Sequence, residues 1–206
     1  MEQKIQQMET LAEQPVFVAF DPFSAIVVKH LNARRDLKNK LRLFDEILND
    51  GRAELLFETE KAKTVAFPNH KGSQHKTWTG IRQMAEDINA FGENVVFLPE
   101  LNDGTSADAI VLFNGSPVVA DFKYCVTTKS NTLAGELEEG FKQASTVVLK
   151  LENMDSGLFQ DAVDYLVRNE KTIGNIKLLN EYGKVLEFTA KDLRYGAYKI
   201  KIKGFL

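Results

Sequence analysis

Residues 107–124 read ADAIVLFNGSPVVADFKY, and this stretch decides the fold. Ala107–Phe113 and Pro117–Lys123 are rich in β-branched and aromatic residues, and Asn114-Gly115 between them is a strong two-residue hairpin signal. The spacing therefore predicts two antiparallel strands side by side. Asp108 near the start of the first and Asp121 near the end of the second lie at the same end of that hairpin. Asp121 and Lys123 are two residues apart, so they project from one face of their strand, while Phe122 points to the opposite, core-facing side. Charged residues at the ends of such apolar strands need a reason to be there.

Working outward, Asn94–Leu98 reads as a strand before the hairpin. A helix from about Thr132 to Ala144 follows it, burying Leu133, Leu137 and Phe141, and Thr146–Leu151 is an apolar strand. Ser156 caps a helix reaching Arg168; Asn175–Leu179 and Lys184–Phe188 are later strands joined at Tyr182-Gly183. Upstream, Trp78, Ile81, Met84, Ile88 and Phe91 share one face of an amphipathic helix that Gly92 ends. The polar, turn-rich stretch Pro68–Thr77 is the best linker. Before it come a short helix over residues 1–13, a β-rich run Val16–Phe20 and helices over roughly 22–33 and 36–49. The last of these carries Leu37, Leu41, Phe44 and Leu48, with Gly51 past its end. Ala53–Phe57 and Thr64–Phe67 read as strands. The expected organisation is a mainly helical N-terminal segment over 1–70 and an α/β domain over 71–206, a mixed central sheet flanked by helices.

The 206 residues are 44% hydrophobic and 27% charged, enough for a full-sized core, with net charge −3. No overall basic field marks a passive nucleic-acid coat, although an enzyme needs only a local concentration of lysines. A single cysteine, Cys125, excludes an intramolecular disulfide, and no Cys/His pattern suggests zinc. No apolar run approaches the ~20 residues of a membrane span. The polar start MEQKIQQMETLAEQ lacks the apolar core of a signal peptide.

Two carboxylates and a lysine on adjacent strands can hold a divalent metal beside a phosphate. Phosphodiester hydrolysis needs an activated water, charge stabilisation at phosphorus and help for the leaving oxygen. Carboxylates in an incomplete shell around Mg²⁺ or Mn²⁺, with a nearby ammonium, meet those needs. The bland alternative is that Asp121 and Lys123 form a solvated strand face.

Leu98-Pro99-Glu100, Ser106-Ala107-Asp108-Ala109-Ile110, Asn114-Gly115 and Ala120-Asp121-Phe122-Lys123 resemble the PD-(D/E)xK nuclease superfamily, the restriction-endonuclease-like fold. More closely, they resemble the nuclease toxin domains of bacterial polymorphic toxins, including the contact-dependent growth inhibition type that cleaves tRNA. The downstream helix with Gln143-Ala144 and the Val147-Val148-Leu149 strand continue the pattern, which covers about Trp78–Ala190. The resemblance implies Asp108 and Asp121 as ligands of Mg²⁺ or Mn²⁺ and Lys123 as the catalytic lysine. It adds Glu100 through a water and Gln143 toward substrate. Ala107 departs from it, standing where the family usually has proline, and Glu86 is a candidate for the family's helix glutamate. It further implies a nucleic-acid substrate (RNA, tRNA above all, or DNA) and a cognate immunity protein. The site of action would be the cytoplasm of a target bacterial cell, the domain being delivered as part of a larger secreted protein. A DNA restriction or repair-type nuclease and a non-catalytic binding module of the same fold remain alternatives.

Outside that constellation, Lys199, Lys201 and Lys203 alternate with Tyr198, Ile200 and Ile202, which predicts an edge strand with one lysine face, guarded by charge or tracking phosphates. His70 and His75 read as loop histidines, His30 as structural and Trp78 as a core anchor. Thr127 to Ser130 read as a loop and helix cap or as phosphate contacts, and Cys125 has no base to activate it.

Overall fold

The computed structural model describes residues 36–68, 77–99, 107–153, 155–180 and 182–203, with Leu31, His70 and Phe205. The elements upstream of residue 31, together with His30, His75 and Glu100, lie outside the described residues.

Helix α1 (Leu37–Leu48) is capped by Asp36, whose carboxylate accepts from the Lys38 amide. It buries Leu43, Phe44, Ile47 and Leu48, whereas Leu37 stays exposed, so the apolar stripe runs down the second half of the helix. Its end is Asn49 rather than a glycine. Strands β1 (Glu54–Glu58) and β2 (Lys63–Ala66) form a hairpin. Helix α2 (Trp78–Ala90) precedes β3 (Val95–Phe97), and then come β4 (Ala109–Phe113) and β5 (Ser116–Cys125). The β4–β5 turn has φ of 49° at Asn114 and 70° at Gly115, the two positive values that a tight two-residue hairpin requires. Helix α3 (Ser130–Gln143), β6 (Thr146–Leu151), α4 (Ser156–Arg168), β7 (Asn175–Leu179) and β8 (Val185–Phe188) complete the sheet region. Asp155, rather than Ser156, caps α4.

Among the described residues one sheet of eight strands runs in sequence order, with β2–β3, β5–β6 and β6–β7 parallel and the other neighbours antiparallel. This is the mixed α/β sheet flanked by helices that the sequence predicts. The boundary expected at residue 70 falls inside this sheet, because β1 and β2 precede it and α1 packs on its far side with Val65, Val96, Ile110 and Val119.

The alternation of β5 separates the two layers. Val119 faces α1, and Asp121 and Lys123 share its side, next to Val147 and Leu149 beneath α3 and α4. Ala120 and Phe122 face α2 with Phe97, Val111 and Val148. Asp121 thus stands at the seam between two apolar clusters of one face.

The chain end differs from the strand expected there. Residues 190–194 form α5 (Ala190–Arg194), and Tyr198–Lys203 is a helix, α6. Tyr198 and Ile202, four apart, are buried against α4, while Ile200 between them is 80% exposed. Two of the three lysines there are engaged, Lys199 with Asp164 and Lys201 with Asp192, each at 2.7 Å. A phosphate-tracking strand is therefore absent from this segment.

Candidate active site

The β4–β5 ladder ends at Ala109↔Ala120. Continued by one residue, the register sets Asp108 opposite Asp121, at the spacing where cross-strand side chains meet. Asp108 is held from both ends. Its carbonyl accepts from the Leu98 amide at 2.9 Å, and its Oδ2 accepts from the Phe122 amide at 2.9 Å. Beyond Ala120, β5 keeps its partner β6 as far as Cys125↔Leu151, but β4 no longer covers its other side. The Phe122 N–H points to that side, which no described strand pairs, and meets Asp108 there; in a strand the carbonyl of the same residue points the same way.

Lys123 Nζ lies 3.3 Å from Asp121 Oδ2 and 3.8 Å from Glu136 Oε2 of α3. Asp121 is wholly buried. Burying a carboxylate is costly unless a charge compensates it, and Lys123 does so here. Burial alone would lower the Lys123 pKa, but the carboxylates of Asp121, Asp108 and Glu136 outweigh it and raise the pKa above its ordinary value. The lysine is a fixed ammonium.

These groups meet at a cleft of about 360 Å³ along the open edge of β5. Asp108, Glu136 and Glu139 line it together with Lys123 and Gln143, above the buried Asp121. Of the residues expected at the site, Asp108, Asp121, Lys123 and Gln143 are brought together. Glu86 is not; it is half-buried on α2, paired with Arg82 at 3.4 Å. Glu136, Glu139 and Gly140 are additions. They share one face of α3 with Gln143 at helical spacing, and that spacing, with Gln143 already singled out, was the signal that would have found them. Gly140 is there for room: a Cβ on it would fall 2.8 Å from Asp121 Oδ2 and 2.7 Å from Val147 Cγ2.

The neighbours are structural. Burial, and then the Glu136 charge, push the Cys125 thiol up to about 12, so it is no nucleophile. His70 packs 4.8 Å from the Trp78 ring and contacts the Phe67 carbonyl at 3.1 Å. Thr127 accepts from the Lys129 amide, and Lys129, not Ser130, is the α3 N-cap.

Among the described residues the donor set is hard oxygen, Asp108 and Asp121, with no imidazole beside it. Among the described residues no group of three or more His, Cys, Asp or Glu side chains is disposed around one point. Such a set fits a cation that keeps much of its water shell, as Mg²⁺ does with one or two carboxylates, and does not fit zinc.

Among the described residues, no helix is long and apolar enough to cross a membrane. No family model and no curated protein matches this chain. Among solved structures it is similar to the CdiA-CT/CdiI toxin and immunity complex from Burkholderia pseudomallei, with 17% identity and a TM-score of 0.42 over 55% of this chain and 85% of that one.

Proposed function

We propose that the chain is a metal-dependent endonuclease that hydrolyses phosphodiester bonds in nucleic acid. One observation carries this reading. Asp108 and Asp121 lie one residue beyond the last β4–β5 pair, Ala109↔Ala120, with the Lys123 ammonium 3.3 Å from Asp121 and with Asp108 and Lys123 lining one cleft. Asp108 and Asp121 would hold Mg²⁺ or Mn²⁺, which when bound supplies Lewis acidity and a water activated for attack. Lys123, kept charged, offsets the negative charge that develops on the phosphate oxygens. Glu136 lies 3.8 Å from the lysine on the helix side, and Gln143, which lines the cleft, would contact substrate. Glu100 stays a candidate on the strength of the sequence resemblance. The cleft lining itself sets three carboxylates against one ammonium, with Asp121 beneath, so a polyanion is repelled until a cation is present.

The test is incubation with total RNA and with plasmid, in Mg²⁺ and in EDTA. Cleavage in Mg²⁺ alone is expected, with RNA the preferred substrate. Asp121→Asn and Lys123→Met should each lower the rate about 10²-fold or more. Because each leaves a buried partner charge uncompensated, circular dichroism under the assay conditions is used to establish that the variant is folded. A wild-type protein that cleaves neither substrate, or an Asp121→Asn variant as active as wild type, would end the reading. The role we infer from the same resemblance is an antibacterial toxin domain, delivered as part of a larger protein and neutralised by an immunity protein. Expression inside bacterial cells should then arrest growth, and Asp121→Asn should not.

A further inference from the structure

The cleft has a second wall. Lys123 and Cys125 turn toward α3, whereas Phe122 and Tyr124 turn toward α2, and the open edge of β5 lets both sets reach the same space. Phe97, Phe122, Tyr124, Ile81 and Thr77 form this side. Its rings are braced. Phe97 meets Phe122 edge-on at 5.6 Å and Trp78 at 5.2 Å. Tyr124 rests on Gly80 of α2, where a Cβ would come within 2.3 Å of its ring, and burial, then the Glu152 charge near its phenol, raise its pKa. The cleft therefore sets the partly exposed Tyr124 ring, packed against the buried cluster of Phe97 and Phe122, beside a carboxylate–lysine cluster, in a volume of about 360 Å³.

We propose that this wall docks the unstacked base of the nucleotide next to the scissile phosphate, so that the substrate is an unpaired strand or loop and not a duplex. This rests on the hydrolase reading for the phosphate side. A base inside a duplex presents its faces to its neighbours and cannot lie on a protein ring, whereas an unpaired base can, whatever its identity.

The experiment has two arms. In the first, fluorescence of Trp78, the sole tryptophan, is followed while a short single-stranded oligonucleotide, its duplex and an abasic version are added, with Ca²⁺ in place of Mg²⁺. The single strand should quench, and the duplex and abasic strand should not. Tyr124→Leu should weaken binding about tenfold, and Tyr124→Phe, which keeps the ring, should restore it. In the second arm, cleavage in Mg²⁺ should favour single-stranded over duplex substrate about tenfold or more, and Tyr124→Leu should remove most of that preference. Equal quenching by the abasic strand, or equal cleavage of strand and duplex, overturns the base-docking wall. Base-dependent quenching without cleavage of any nucleic acid supports the wall and overturns the hydrolase reading instead.

Discussion

At the scale of single residues, the site depends on one missing methyl group and on one thiol kept silent. Gly140→Ala would gain up to about 1 kcal/mol of helix propensity. The new Cβ, however, has no space between Asp121 Oδ2 and Val147. Overpacking of this kind costs about 1–3 kcal/mol. We expect net destabilisation in urea unfolding, together with weaker Mn²⁺ binding as the Asp121 carboxylate is pushed aside. A Gly140→Ala protein as stable as wild type with unchanged Mn²⁺ affinity would show that the carboxylate has room to spare. Cys125 gives a separate reading of the same seam. Burial first, then Glu136, raises its pKa to about 12, so the thiolate is scarce near neutrality. Iodoacetamide should therefore label the native protein far more slowly than the urea-unfolded chain, and comparable rates would mean that the base of the cleft is open to solvent.

At the scale of elements, the contrast between the hairpin and the chain end explains what the sequence could disclose. Asn114-Gly115 admits few turn geometries, so counting outward from Phe113↔Ser116 already sets Asp108 against Asp121. Nothing comparable fixes residues 198–203, where YKIKIK alternates like a strand but is only six residues long. Tyr198 and Ile202 fit a helix of one and a half turns equally well, and packing against α4 decides the matter. Side-chain truncation separates the two geometries. Ile202→Ala should cost about 2–5 kcal/mol, whereas Ile200→Ala should stay within about 0.5 kcal/mol. In a strand both would sit on one face and their costs would be alike. The joint between α5 and α6 is held by Asp192, which accepts from Lys201 at 2.7 Å and from the Thr189 amide and hydroxyl at 2.9 and 2.8 Å. Lys201 first, then Thr189, lowers its pKa from 3.8 to about 2. A depressed carboxylate stabilises the fold above its unfolded value, and the contribution disappears as pH falls through the folded value. The stability gap between wild type and Asp192→Asn should therefore be full near neutrality and close between pH 3.8 and about 2 in acid-dependent urea titrations. A gap that persists at pH 2 would assign the effect to packing.

At the scale of the whole molecule, the site is a product of where a sheet stops being paired. Strand lengths alone hint that β5 outruns β4, yet the cleft also needs α3 to carry Glu136, Glu139 and Gln143 over the gap, and helix placement follows from tertiary packing that local periodicity does not encode. The same holds for the first part of the chain. Read by composition, the polar stretch near residue 70 separates two units. Read by pairing, β2 lies parallel to β3, matching Thr64 with Val95 and Ala66 with Phe97, and α1 covers Val96, Ile110 and Val119. Parallel neighbours joined across a long connection leave no local mark in sequence. A fragment beginning at residue 71 would expose the edge of β3 and uncover the apolar face under α1, including Val119, two residues from Asp121. We expect that fragment to aggregate or to lack the near-ultraviolet circular dichroism of packed aromatics, and to show no Mn²⁺ binding at Asp108 and Asp121. The whole chain should unfold in one cooperative step with the same midpoint by fluorescence and by far-ultraviolet dichroism. A soluble, cooperatively folded 71–206 fragment that still binds Mn²⁺ would instead make β1, β2 and α1 an addition to a sheet able to stand without them.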